Sequence, residues 1–521
     1  MRRLFATIAA AIVLTGGAGG GEAAEPLARW HFAGAESVSA DPNGVLAKGV
    51  LRQPLTAQLT ESALTKLARA PQNLFRGATI PPGAPPALRP LLDDLLRCES
   101  LGLVREGGWG VAVRLTPDMA SRWQAAWGPL LASWGAVTTQ ANGGWEARWS
   151  GSAPVARLER QGDWTVIGSD LEVHRELTRG LKGGQPAPLA GTWMVADVDL
   201  PRLAPVWGLP SDVTWPLARI RCRGRGENLR TEANLRFTEP LNLALEPWQI
   251  PTNSIREPLV SFLAMQGFGT WLERQSWFKE LGIAPPPSQA FGWSQGQIPF
   301  QVYASWRWPE AAAALSRLVP RLAGVATNAF PAMNLGPLAD QIVHQTDLNR
   351  VAWERLPLIV PFVEVAKDDP GFAVAGVFPV HSERPTAPPA LYSEVLGRTN
   401  LAFYHWEITQ NRTAAWQHLN RFQGMLSRYA PPSTNALGFR WLQETNILAS
   451  LGNTVTEITV VSPRELAVTR SSAVGFTGYE LNRLVTWLDD PAFPRRSPPQ
   501  PAGAGRRSPA NVPPSPASPH P

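Results

Sequence analysis

One pattern of apolar and polar positions recurs along the chain. An alternating stretch reaches a short polar or proline junction, and an amphipathic stretch begins there. It reads WGVAVRLTPDMASRWQAAW at 109–127, WMVADVDLPRLAPVW at 193–207, PFQVYASWRWPEAAAALSRL at 299–318 and LAFYHWEITQNRTAAWQHL at 401–419. A period of two suits a half-buried strand, and the 3.6 period that follows suits a helix. Thr116, Asp199 and Thr409 stand where helix N-caps are expected. Pro117, Pro201 and Pro309 fall near first turns, where a missing N–H leaves no bond unmade.

The first and last of these stretches have a second half. ARLERQGDWTVIG leads into Ser169–Glu172, and TEITVVSPRELAVTRSSAVGF leads into Thr477–Glu480. Both match the [ST]-x-x-E capping box, in which hydroxyl and carboxylate satisfy free N–H groups reciprocally. A β-α-β-β-α unit is therefore expected at least twice, with 110–180 matching 401–488 and with Ser169 and Thr477 as N-caps. Further strands are expected at 213–224, 227–237 and 356–379. Residues 60–107 carry Leu88, Leu91, Leu92, Leu95 and Leu96 at helical spacing. A helix is also expected over 254–282, opened by Ser254 and Glu257, with Leu259, Phe262 and Leu263 on one stripe.

The fold class is thus α+β: repeated β-α-β-β-α units forming mostly antiparallel sheets, helices packed on one face, plus helical segments. The expected organisation is a mainly helical 25–107, a first α+β region at 108–245, a helical connection at 246–296 and a second α+β region at 297–491.

The two ends change the picture. Arg2 and Arg3 precede an apolar run, and a small-residue stretch closes on Glu22-Ala23-Ala24, the order of a secretory signal peptide over 1–24. The run is about half what a bilayer-spanning helix needs, and the glycines behind it suit no buried helix. From 492 to 521 proline recurs without apolar periodicity, so the tail is expected to be disordered. Export to the periplasm or exterior follows, with no transmembrane segment in the mature chain.

Charge removes one class of partner. Arg2 and Arg3 against Glu22, with Arg495, Arg496, Arg506 and Arg507, account for five of the six net positive charges. A body so nearly neutral makes no broad basic field, and nucleic acid is not expected as a partner despite the pI of 9.7.

Candidate chemistry is sparse. The seven histidines form neither H-x-x-x-H nor H-E-x-x-H, and no Walker loop, G-x-S-x-G elbow or G-x-G-x-x-G is present. No catalytic residue, metal ligand or cofactor is assigned. Ser276 and Lys279 match S-x-x-K without its companion motifs and read as exposed helix residues. Asp93-Asp94, Asp368-Asp369 and Asp489-Asp490 read as solvated charge rather than paired glycosidase carboxylates.

The 22 tryptophans include Trp123, Trp127 and Trp134 on one helical stripe, and the strand pairs Trp145 with Trp149 and Trp306 with Trp308. Patterned positions point to core more than to sugar-stacking platforms. His405 and Glu407 share a strand face opposite Ala402, Tyr404, Trp406 and Ile408; they read first as polar residues near the mouth of a half-buried strand, and otherwise stand as the surface candidates for a site where one copy has specialised. Cys98 and Cys222 both fall on apolar stripes, as two separately buried thiols or, less in keeping with so large a core, one bridge.

LARWHFAG (27–34), LRPLLDDLLRCESLG (88–102) and YHWEIT (404–409), behind a leader, resemble a class of uncharacterised exported bacterial proteins. The resemblance implies secretion and a repeated α+β body, and brings no catalytic residue. The expected function is an exported, soluble, non-enzymatic binding or scaffold protein of the cell envelope, its partner a protein or polysaccharide. An envelope-polymer hydrolase and a tryptophan-rich carbohydrate binder are the alternatives.

Overall fold

A computed structural model describes residues 25–491, apart from 70–83, 134–135, 142–143, 150–151, 183–188, 190, 206–208, 210–212, 297–300, 330–340, 355–358, 379–382 and 427–435, together with 493–494. The expected leader, nearly all of the tail and Trp134 therefore lie outside the described residues. The first ten strands are β1 (Ala28–Phe32), β2 (Ser100–Arg105), β3 (Gly108–Arg114), β4 (Ala136–Ala141), β5 (Gly144–Trp149), β6 (Ser152–Gln161), β7 (Trp164–Gly168), β8 (Met194–Asp199), β9 (Leu217–Arg225) and β10 (Asn228–Arg236). The next ten are β11 (Leu259–Gln266), β12 (Gln289–Gln295), β13 (Val302–Arg307), β14 (Ile342–Gln345), β15 (Arg350–Trp353), β16 (Phe362–Val365), β17 (Phe372–Gly376), β18 (Leu401–Ile408), β19 (Asn453–Ser462) and β20 (Glu465–Ser472).

All twenty join one sheet, and every pairing is antiparallel. From one edge the order runs β4-β5-β6-β7-β3-β2-β1-β8-β9-β10. It continues β20-β19-β18-β11-β12-β13-β17-β16-β15-β14 to the other edge. Read inward from either edge, the order is the same, each strand having its counterpart ten strands later. β10 and β20 meet in the middle, Leu229 opposite Ser472 and Arg236 opposite Glu465.

The two faces bury different cores. The upper face carries Ala218, Ile220, Cys222 and Leu229, and in the first half it buries Trp30, Phe32, Val104, Val111, Trp145 and Leu158. Helices Ala84–Arg97 and Pro117–Ser133 cover it there. Trp30 lies flat over Gly102, its register partner across β1–β2, where a Cβ would stand 2.0 Å from the ring. In the second half the main core is on the lower face: Phe262, Phe291, Trp293, Tyr303 and Phe362, closed by Trp248, Ile255 and Tyr392. Helices Pro54–Arg69, Leu437–Trp441 and Gly478–Asp489 form a third cluster that ties the halves together. Within it Trp441 Nε1 donates to Thr56 Oγ1 at 2.8 Å, and Lys66 Nζ donates to the Leu488 and Asp489 carbonyls at 2.9 Å each.

The structure corrects several expectations. The helical connection at 246–296 is not helical: 254–282 holds strand β11 and two short helices, Gly269–Leu272 and Ser276–Leu281, and β12 follows. Pro258 biases Glu257 away from helical backbone, and LVSFLAMQ is buried on both faces, which removes the stripe that would mark a helix. Segment 25–107 has the expected helices but contributes β1 and β2 to the sheet as well.

Residues 110–180 do not repeat in 401–488. Four strands, β4 to β7, lie between the two helices of the first stretch, and only β19 and β20 lie between the corresponding long helices of the second. By strand order, the junction at 109–127 matches that at 299–318, and the junction at 193–207 matches that at 401–419.

Capping also divides. Thr477 and Glu480 form both bonds of the capping box. Ser169 does not cap: its hydroxyl accepts from the Trp109 N–H, and Asp170 Oδ1 takes the Glu172 and Val173 N–H groups instead. Asp199 caps its helix as expected. The Thr409 hydroxyl is occupied 2.7 Å from Thr454. Asp94 is not solvated: it is buried, accepting from Arg122 and from Trp123 Nε1. Cys98 and Cys222 are separate free thiols, Cys222 buried and Cys98 half-buried with its Sγ 4.0 Å from Met119 Sδ.

Candidate functional site

β18 sets the first candidate. Its alternation sends Tyr404 into the lower core and leaves Phe403, His405 and Glu407 on the upper face. The expectation that His405 and Glu407 lie at the surface is not met. Glu407 is 2% exposed and the His405 side chain 17%. The helices packed above β18 close over them.

The pair is real but loose, with His405 Nε2 3.7 Å from Glu407 Oε2. Glu407 Oε1 accepts the Gly478 N–H at 2.7 Å, at the N-terminus of helix Gly478–Asp489, where the helix dipole favours an anion. Burial pushes the Glu407 carboxyl up from its ordinary range, opposed by that N–H and by Arg412. Burial, then Arg412 and Arg470, hold His405 down to about 4, so it is neutral at pH 7.

Arg470 completes the cluster. It donates to Glu480 at 2.7 and 3.2 Å and to Thr456 Oγ1 at 2.8 Å, and Glu480 in turn accepts the Thr477 N–H. Arg412 lies over the Trp416 ring at 5.3 Å. Two arginines thus balance two glutamates around a neutral imidazole. The arrangement clamps β18, β20 and two helices together. Sequence reasoning singled out His405 and Glu407 for the site, Glu480 only as a helix cap, and not Arg412 or Arg470; Arg470 and Glu480 arrive by the packing that also sets Gly478, 71 residues on, against Glu407.

The second candidate is on the lower face, in the middle of the sheet. Alternation along β9 buries Ala218, Cys222 and Gly224 above and turns Arg219, Arg221, Arg223 and Arg225 below. Arg219, Arg221 and Arg225 are exposed and Arg223 half-buried. Arg29 on β1 and Arg230 and Arg236 on β10 share this face. Asp197 lies 2.7 Å from Arg29 and 3.5 Å from Arg219. Glu232 lies 2.9 Å from Arg223 and 3.6 Å from Arg230. To one side helix Leu171–Lys182 covers the sheet over Ala112, Trp164 and Val166, and to the other the second-half core begins. The open floor between them is arginine-rich. ARIRCRGR displayed this row in the sequence, where near-neutral total charge masked it.

The remaining candidates stay structural. Ser276 and Lys279 are exposed on a short helix, as expected. Asp369 binds Ser254 Oγ at 2.6 Å and Asn253, and Asp368 binds Arg256 at 2.6 Å, which pins the segment before β11. Trp123, Trp145 and Trp308 are core, while Trp271 and Trp277 are 48% and 42% exposed. Among the described residues no three His, Cys, Asp or Glu side chains gather to hold a metal ion. Nor, among them, is any helix long and apolar enough to cross a membrane.

No family model and no curated protein matches the chain. Among solved structures there is similarity to that described as "Structure of crystal form III of TP0453", 11% identical, covering 47% of this chain and 98% of that one, with a TM-score of 0.21. At that score the likeness carries no argument about fold or function.

Proposed function

We propose that this is an exported, soluble, non-enzymatic binding or scaffold protein of the cell envelope, its body made of two related ten-strand α+β halves. The shared strand order of the halves supports their relatedness, on a unit larger than β-α-β-β-α. The binding reading rests on one observation, the arginine row on the open lower face of β9. The counterpart strand β19 carries Val455, Glu457 and Thr459 on that face, so the row belongs to one half alone. It lies on a regular strand, whose backbone sets the Cβ atoms of the row at a fixed spacing on one face.

Fractionation of a bacterial host expressing the chain with its own leader tests this. The expected result is a mature N-terminus within a residue or two of Glu25, and protein that sediments with isolated envelope at low salt and is released as salt rises. Intact Met1 in the cytoplasm, under verified export conditions, or mature protein that stays in the supernatant at low salt, contradicts it.

A further inference from the structure

We infer that the open floor docks a linear anionic polysaccharide whose carboxylates are spaced along the chain with free hydroxyls between them. The inference rests on the binding reading above and names its partner. Arg219, Arg221, Arg223 and Arg225 repeat about 7 Å apart by strand geometry. Arg223 stands directly opposite Arg230, a like-charge pairing that works against the sheet. Glu232 relieves it in part by reaching both. Arg221 and Arg225 form no ion pair among the described residues. An excess of cation that folding does not use is an invitation to an anion.

The class of anion follows from what lies between the arginines. Asp197 and Glu232 would repel a polymer that offers anionic oxygens with no hydroxyl donors between them, such as a DNA phosphodiester strand. They suit sugar hydroxyls, which donate hydrogen bonds to carboxylates. No Phe, Tyr or Trp faces this way from β8, β9 or β10, so bases would find no stacking platform. Guanidinium forks match planar carboxylates bidentately. A polyuronate satisfies both sets of groups.

The test is calorimetric or interferometric binding of the full mature chain to hyaluronate and polygalacturonate at 50 and 200 mM salt, about the range where screening acts. Arg219→Ser/Arg221→Ser/Arg225→Ser removes three exposed floor charges. Arg175→Ser/Arg179→Ser/Lys182→Ser removes three exposed charges from helix Leu171–Lys182. The expected result is binding by wild type, at least tenfold weakening in the floor variant and less than twofold in the helix variant. A single-stranded oligodeoxynucleotide should bind more weakly than either polysaccharide. Should the triple floor variant melt early, Arg221→Ser alone carries the comparison, with at least threefold weakening expected. Equal weakening by both triple variants, tighter binding of the oligonucleotide, or no binding of either polysaccharide overturns the inference. If the chain is retained on envelope yet ignores both polysaccharides, this inference fails alone. If it is not retained either, the broader reading fails with it.

Discussion

At the residue scale, His405 gives the clearest pH signature. Its imidazole takes up a proton near 6.5 when unfolded and only near 4 when folded. Between those values the unfolded chain binds more protons, so the stability it contributes is whole above about 6.5 and falls as pH drops toward 4. The ceiling is about 3 kcal/mol, from about 1.4 per unit. Glu407, raised by burial, acts in the opposite sense, so the comparison must isolate the histidine. His405→Gln should lose less stability than wild type between pH 7.5 and 5 in urea titrations, and identical pH dependence would contradict the assignment. Gly102 offers a steric test. Gly102→Ala sets a methyl against the Trp30 ring and should cost about 2–3 kcal/mol, and an unchanged melting temperature would refute that packing. Cys98, its thiol pushed up to about 11 by burial and then by Asp94, should resist alkylation at pH 8 in the native protein. Denaturation without reductant should expose two thiols, and finding none would mean a bridge.

At the element scale, local signals were legible where one face meets water. β9 and β10 were expected at 213–224 and 227–237, because arginine alternates with Ala218, Ile220 and Cys222. Helix Gly478–Asp489 was legible from Thr477 and Glu480. β11 was not, since a strand buried on both faces shows no alternation and LVSFLAMQ reads equally as helix. Ser169 misled because Asp170, one residue on, competes for the same N–H groups and carries a charge that the helix N-terminus favours. Asp170→Ala and Thr477→Ala should each cost about 1 kcal/mol by denaturant unfolding. A negligible effect at Asp170 with a full effect at Ser169→Ala would restore the original cap.

At the scale of the whole molecule, sequence periodicity says which residues share a face but not which strands adjoin. The four strand-to-helix junctions were visible, and their matching was not, because the longer strands β4, β5 and β6 intervene in one half and the four-residue strands β14 to β16 in the other. Nor could composition show that seven arginines meet five carboxylates, Asp197, Asp199, Glu232, Glu457 and Glu465, on one face. That floor exists because β10 joins β20 across more than 220 residues of chain, making one sheet from two halves. Half of the β10 amides point to β9 and half to β20. Residue-resolved hydrogen exchange on the full chain therefore tests the join directly. Uniform protection of amides through Leu229–Arg236, matched by Glu465–Ser472, is the expected result. Protection that alternates along β10, with only the amides facing β9 slow, would mean that the halves do not share a sheet.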